Sequence, residues 1–91
     1  MAIIAVFLNI DEQRVALALK EAREKLGSAE GEAFLDFSSV RRIDSSALRA
    51  MEEFARIADE KAVKVVLRGV NVDVYKVLKL VKLTQRFSFV N

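Results

Sequence analysis

The sequence lacks histidine, cysteine and proline altogether. Without histidine, the chain alone cannot form a Ser-His-Asp triad, a histidine-ligated zinc site or a histidine general base. Without cysteine it has no disulfide and no thiolate chemistry, and the cytoplasm is the default compartment because nothing argues for an oxidising one. These two absences leave a chain acting alone with little of the usual catalytic machinery.

The chain also lacks a strong charge bias and a long hydrophobic run. Its 15 basic and 13 acidic residues leave a net charge of +2 and are mixed along the sequence, which argues against direct binding to nucleic acid. No apolar run approaches the roughly 20 residues of a membrane span, and the apolar start is too short for the core of a signal peptide. The composition is 53% hydrophobic over 91 residues, which is enough for one core, so we expect a single domain over residues 1–91.

Strand-like apolar runs alternate with stretches of helical periodicity. The predicted strands cover residues 3–8, 33–37, 63–67 and, as a short final strand, 87–90. The predicted helix starts are Asn9 or Asp11, Asp44 or Ser45, and Asn71 or Asp73. The first helix is expected to end at Gly27. Such alternation predicts an α/β fold, with a mostly parallel four-stranded sheet and right-handed crossovers.

Each predicted helix has one apolar face that we expect to pack on the sheet. These faces consist of Val15, Leu19, Ala22 and Leu26; of Leu48, Met51, Phe54, Ala55 and Ala58; and of Val74, Val77, Leu78 and Val81. Glu12 follows Asn9 by three residues, which is the spacing of a capping box. We therefore expect the Glu12 carboxylate to bond to the start of its own helix.

The most informative segment is the loop after the second predicted strand. Loops that follow parallel strands gather at one edge of a sheet, and this loop leads to Asp44, Ser45 and Ser46 at a helix start. A helix N-terminus carries about half a positive charge and unpaired N–H donors, so it could hold a phosphate on Ser45. The arginines that could add charge-assisted bonds are Arg41, Arg42 and Arg49. Serine and aspartate are also ordinary N-cap residues, so this pattern alone makes Ser45 either a simple cap or a regulated hydroxyl.

The ordered set of residues from Phe34 to Phe87 resembles the STAS domains of anti-sigma factor antagonists. The residues that resemble the first half of the family pattern are a strand ending in Asp36 and two serines, then Val40, Ile43, Asp44, Ser45, Ser46 and Leu48. The second half resembles the family in the run from Lys64 to Val70, a following helix, Leu83 and Phe87.

This resemblance implies a bacterial partner-switching protein. The unphosphorylated form of such a protein binds an anti-sigma factor that is also a serine kinase, which releases a sigma factor, and phosphorylation ends the binding. The phosphorylated hydroxyl is the first serine after the aspartate, which implies Ser45. The residues expected to contact the partner are Asp11, Ser39, Arg42, Asp44, Ser46, Arg49 and Glu52. The resemblance thus implies a binding protein that is not an enzyme, with no catalytic residue, no metal site and no cofactor. The oligomeric state is left open.

Three features depart from the family pattern. Ala47 stands where glycine is usual, and its methyl group would hinder close approach by a kinase. Lys82 replaces the glycine that usually precedes the final leucine. The N-terminal region has one strand running to Asp11 where the family commonly has two.

Two other functions stay open. The domain could be a STAS scaffold without phosphorylation in a stress-signalling or transporter assembly, in which Ser45 is only a cap. It could instead bind a small ligand or nucleotide, or be a very small hydrolase, with Asp11, Asp36 and Asp44 as acids that could hold Mg²⁺.

Overall fold

In residues 4–25 and 31–90, which the computed structural model describes, four strands alternate with three α-helices. The elements in chain order are β1 (Ile4–Asn9), a 3₁₀ turn (Glu12–Arg14), α1 (Val15–Lys25), β2 (Gly31–Asp36), α2 (Ser45–Glu60), β3 (Lys64–Arg68), α3 (Val72–Leu80) and β4 (Ser88–Val90). The predicted α/β fold and the predicted order of elements are confirmed. The predicted core residue Leu26 and the predicted stop at Gly27 lie outside the described residues.

The strands form one parallel sheet in the order β1-β2-β3-β4. The register aligns the last residues of three strands, because Asn9 pairs with Asp36 and Asp36 pairs with Arg68. All three of these strands therefore end at the same edge, and the segments that follow them emerge side by side.

The core lies between the sheet and the helices, as the apolar periodicity predicts. Most of the inward residues of α2 are buried, and Leu48 packs against the core while staying partly exposed. The prediction that Val81 packs on the sheet with the rest of its helix face is wrong, since this residue is 42% exposed. The reason is that α3 ends at Leu80, so Val81 is the C-cap and the helical periodicity stops there. The chain then turns, and Leu83 enters the core instead.

The structure decides between the alternative helix starts. Asp44 is the N-cap of α2, and its carboxylate accepts a hydrogen bond from the Ala47 N–H. Asn71 is the N-cap of α3, and its side-chain oxygen accepts from the Val74 N–H at 2.8 Å. Each cap satisfies a helix donor that has no partner within the helix.

Candidate partner-binding site

The candidate site lies at the edge of the sheet where β1, β2 and β3 end. Backbone hydrogen bonds continue one residue beyond the strands, from Ile10 N–H to Asp36 O at 2.9 Å and from Phe37 N–H to Arg68 O at 2.8 Å. These bonds hold the three following loops in fixed relation to one another. The most exposed of them connects β2 to α2 and carries the Asp44-Ser45-Ser46 segment.

The first part of the β2–α2 loop is held by a carboxylate and by the core. Asp36 accepts a hydrogen bond from the Ser38 N–H at 2.9 Å. Hydrogen bonds from the side chain and then the backbone of Ser38 hold the pKa of the Asp36 carboxyl below its usual value. The Val40 N–H donates to Phe37 O at 2.9 Å, and both of these side chains are buried. These contacts give the first part of the loop a defined conformation, which fixes the direction in which the chain continues to α2.

Ser45 is the first residue of α2 and Ser46 is the second. Both side chains are exposed, and neither hydroxyl has a hydrogen-bond partner in the part of the chain that the structure describes. Asp44, which has an extended backbone, is the residue that caps the helix, because its Oδ1 accepts a hydrogen bond from the Ala47 N–H at 2.8 Å. The reading in which Ser45 is only a cap is therefore wrong. Its hydroxyl is not used by the fold.

The predicted role of Glu12 as a capping-box acid is also wrong. Its Oε1 accepts a hydrogen bond from the Arg41 N–H and a longer one, at 3.3 Å, from the Arg42 N–H. Asp11 takes the local role instead, because it caps the 3₁₀ turn through the Gln13 N–H at 2.9 Å. Glu12 therefore connects the start of the α1 region to the β2–α2 loop.

The α3 cap Asn71 reaches the same loop from the other side. While its oxygen caps α3, its Nδ2 donates to Arg41 O at 3.0 Å and to Val40 O at 3.4 Å. Sequence analysis assigned Asn71 and Glu12 to helix starts only. Their contacts span about thirty residues of sequence, and no local spacing rule reports such a contact.

The predicted contact residues are all exposed, but they fall into separate groups. Ser45, Arg49 and Glu52 follow the spacing of one helical stripe along α2. A cleft of about 740 Å³ collects another group. Residues 12–17 line one side of this cleft, and the predicted contacts Arg42, Asp44 and Ser46 lie on the other side with Ile43 and Ala47. Asp11, Ser39 and Ser45 itself are not among its lining residues.

The cleft also contains residues that sequence analysis missed. Gln13 and Arg14, from the 3₁₀ turn, lie opposite the start of α2. The residues that line the cleft include two arginines, Arg14 and Arg42, and two acids, Glu12 and Asp44, so both signs of charge are represented there. A charged partner segment could meet either sign there, which favours selective recognition over general attraction.

Ala47 is almost fully buried, although it lies at the wall of the cleft. Its side chain is 3% exposed and belongs to the hydrophobic core. Residues at the third position of a helix can face inward, and Ala47 does so while its N–H bonds to Asp44. This burial weakens the steric reason for expecting the methyl group to hinder a kinase, and access by a kinase stays a prediction.

The three aspartates considered for Mg²⁺ do not come together. Asp11 caps the 3₁₀ turn, Asp36 accepts from Ser38, and Asp44 caps α2. Among residues 4–25 and 31–90, no group of three acidic, histidine or cysteine side chains could hold a metal ion. Within the same ranges, no helix has the length and apolar content needed to cross a membrane.

Comparison with known proteins gives the fold a family. The sequence model of the STAS domain family matches residues 3–91. No curated protein matches the chain by sequence. A candidate anti-sigma factor antagonist from Thermotoga maritima superposes with a TM-score of 0.73 at 24% identity, over 96% of this chain and 73% of its own.

Two further solved structures have the same fold. A sulfate transporter family protein from Wolinella succinogenes gives a TM-score of 0.78 at 21% identity, over 93% of this chain and 75% of its own. A variant of RsbS from Moorella thermoacetica gives 0.77 at 20% identity, over 98% and 84%. These proteins therefore share the fold of this chain. Since the family's sequence pattern extends from residue 3 to residue 91, this chain belongs to the STAS domain family.

Proposed function

We propose that this domain is an anti-sigma factor antagonist. In this proposal the unphosphorylated domain binds an anti-sigma factor that is a serine kinase, and phosphorylation of Ser45 ends the binding. The domain acts by binding and carries out no reaction of its own. Its place of action is the cytoplasm, where sigma factors work.

The observation that carries the proposal is the division of roles between Asp44 and Ser45. Asp44 caps α2, so the helix start does not depend on the serine. The Ser45 side chain is exposed and makes no hydrogen bond with the described residues. A kinase can therefore reach this hydroxyl and modify it without removing an interaction that stabilises the fold.

The proposed contact surface surrounds Ser45 on two sides. Arg49 and Glu52 continue along the same stripe of α2, and Asp44 and Ser46 lead into the cleft. The full proposed set is Asp11, Ser39, Arg42, Asp44, Ser46, Arg49 and Glu52, all of them exposed. A partner that covers this surface would bury Ser45 near its centre.

Charge and desolvation explain how phosphorylation would end the binding. A phosphate adds about 1.5 to 2 negative charges beside the Asp44 carboxylate, inside a surface that the partner must desolvate. Only a few kcal/mol of differential binding is needed, because each 1.4 kcal/mol changes an affinity by about tenfold. The candidate anti-sigma factor antagonist of the same fold supports this proposal, and the sulfate transporter family protein keeps a transporter assembly as the alternative.

The test is phosphorylation by a candidate partner. The purified chain is incubated with ATP and the anti-sigma kinase encoded near its gene, and the phosphate is mapped by mass spectrometry. We expect label on Ser45 in the wild type and in Ser88→Ala, the control variant, whose serine lies in β4 outside the proposed contact surface. We expect no label in Ser45→Ala.

Binding measurements complete the test. Ser45→Asp should bind the same partner at least about tenfold more weakly than the wild type. Label on no serine, together with equal binding by Ser45→Asp, would show that the chain is an unphosphorylated scaffold. Tight binding of a nucleotide by the isolated domain would favour the small-ligand function instead.

A further inference from the structure

The backbone of Arg41 is held at both its N–H and its carbonyl by side chains of other loops. Its N–H donates to Glu12 Oε1, and its carbonyl oxygen accepts from Asn71 Nδ2 at 3.0 Å. Glu12 follows β1 and Asn71 follows β3, so one residue of the central loop is bonded through its backbone to the loop on each side. Longer bonds run from the Arg42 N–H to Glu12 Oε1 at 3.3 Å and from Asn71 Nδ2 to Val40 O at 3.4 Å, so both peptide groups that flank Arg41 are bonded to the same two side chains.

The Glu12 carboxylate is not used at its own helix start, and Asn71 uses only one of its two polar atoms there. Asp11 caps the 3₁₀ turn, which leaves the Glu12 carboxylate to reach the loop. The amide of Asn71 uses its oxygen for the α3 cap and its nitrogen for the loop, so the two functions reside on different atoms. This separation allows one function to be removed while the other is kept.

The loop has few other anchors between β2 and α2. Val40 is buried and Ile43 packs partly against the core, whereas the side chains of Arg41 and Arg42 are exposed. The path between the two apolar anchors is therefore decided largely by the backbone bonds to Glu12 and Asn71. That path determines where Asp44 enters α2 and how Ser45 is presented.

We propose that Glu12 and Asn71 are positioning residues, which fix the Arg41 backbone and thereby the orientation of Ser45. This inference rests on the proposed function for its effect on a partner, but the effect on the loop stands without any partner. Neither residue needs to touch the kinase. Both would determine how well the kinase finds the hydroxyl.

Matched variants separate positioning from stability. Asn71→Asp keeps an oxygen that can cap α3 but removes the donor to Arg41 O. Glu12→Ala removes the acceptor for Arg41 N–H, and Glu12→Gln keeps an acceptor oxygen at the same distance along the side chain. Val63→Ala is the stability control. Val63 is buried and directly precedes β3, at the end of the sheet where the strands begin, away from the β2–α2 loop.

The first readout is NMR of the isolated domain, which needs no partner. We expect amide exchange of Arg41 to be about tenfold faster in Glu12→Ala and changed by less than about threefold in Glu12→Gln, since a hydrogen bond is lost only in the former. Asn71→Asp should shift the Ser45 and Ser46 amide resonances, whereas Val63→Ala should leave them in place. Unchanged exchange in Glu12→Ala and unchanged Ser45 resonances in Asn71→Asp would overturn the inference.

The second readout is the phosphorylation rate with the kinase used above. We expect kcat/KM to fall about five- to tenfold in Glu12→Ala and Asn71→Asp, and to recover in Glu12→Gln. An equal fall in Val63→Ala would show that the effect is only lost stability, and would overturn the inference. If the wild type accepts no phosphate, the proposed function fails, and the NMR result then decides the positioning role alone.

Discussion

Helices α2 and α3 both end at a residue with a left-handed backbone that is not glycine. These residues are Ala62, with φ of 56°, and Lys82, with φ of 62°. At the end of α3, the Lys82 N–H donates to Lys79 O at 3.1 Å and the Leu83 N–H donates to Leu78 O at 2.8 Å. This pair of bonds is a Schellman motif, in which the left-handed position usually holds glycine. The bonds at the end of α2 follow the same pattern.

We therefore predict that Lys82→Gly and Ala62→Gly each stabilise the domain. A left-handed conformation costs an L-residue about 1–2 kcal/mol, which glycine does not pay in steric strain. Glycine also increases the conformational entropy of the unfolded chain, which lowers the stability by about 0.5–1 kcal/mol and offsets part of this gain. Both side chains are exposed, so no core contact is lost. The expected gain is about 0.5–1 kcal/mol for each change, equivalent to a rise in Tm of about 2–8 °C for a domain of this size.

Thermal unfolding and urea titration measure the gain, with Lys76→Gly as the control. Lys76 is exposed on α3 but has a right-handed helical backbone, so glycine there should cost about 1 kcal/mol. The sign should thus reverse between two lysines six residues apart. If Lys82→Gly lowers Tm as Lys76→Gly does, the left-handed backbone is not what limits stability at this helix end, and the reasoning is wrong.

Two further predictions concern the loop region beside the sheet edge. Gly69 has φ of +71°, and a Cβ there would lie 2.9 Å from Ser38 Cβ and 3.0 Å from Ser38 Cα; Gly69→Ala should cost about 2–4 kcal/mol in urea titration from strain and overlap, and a loss under about 1 kcal/mol would contradict this contact. Because the pKa of Asp36 is lowered in the folded state, its carboxylate contributes stability that is present above the unfolded pKa and is lost as the pH falls through the folded one. Asp36→Asn should therefore have a lower free energy of unfolding than the wild type near neutral pH, and this difference should shrink below about pH 4. If the difference stays the same from neutral pH to below about pH 4, the charge of the carboxylate is not involved.

Apolar spacing predicted the order of strands and helices, and its errors have local physical causes. Val81 was assigned to the inner face of α3 because no glycine marks the end of that helix. Lys82 takes the left-handed conformation that glycine usually supplies, so the helix stops without the usual sequence signal. The family's common glycine ahead of the final leucine corresponds to this position, which gives that departure a conformational meaning.

The sequence also could not decide which of two suitable residues caps α3. Asn71 and Asp73 are both suitable residues for the start of α3. The structure selects Asn71, whose amide can accept from Val74 and donate to Arg41 O at the same time. An aspartate has no donor to offer the Arg41 carbonyl. The preference therefore depends on a loop some thirty residues earlier, and only tertiary structure shows it.

The position of Ser45 was predictable, but its independence from the fold was not. Serine and aspartate are both good N-caps, so Asp44-Ser45 leaves open which of the two holds the helix. The extended backbone of Asp44 and its bond to Ala47 N–H settle this, and they leave the Ser45 hydroxyl exposed. A residue that serves as a switch has to change state without unfolding the domain that carries it. Because the cap, the loop bonds and the buried Ala47 methyl all lie on other residues, a phosphate at Ser45 would alter the charge of the surface while the interactions that hold α2 in place persist.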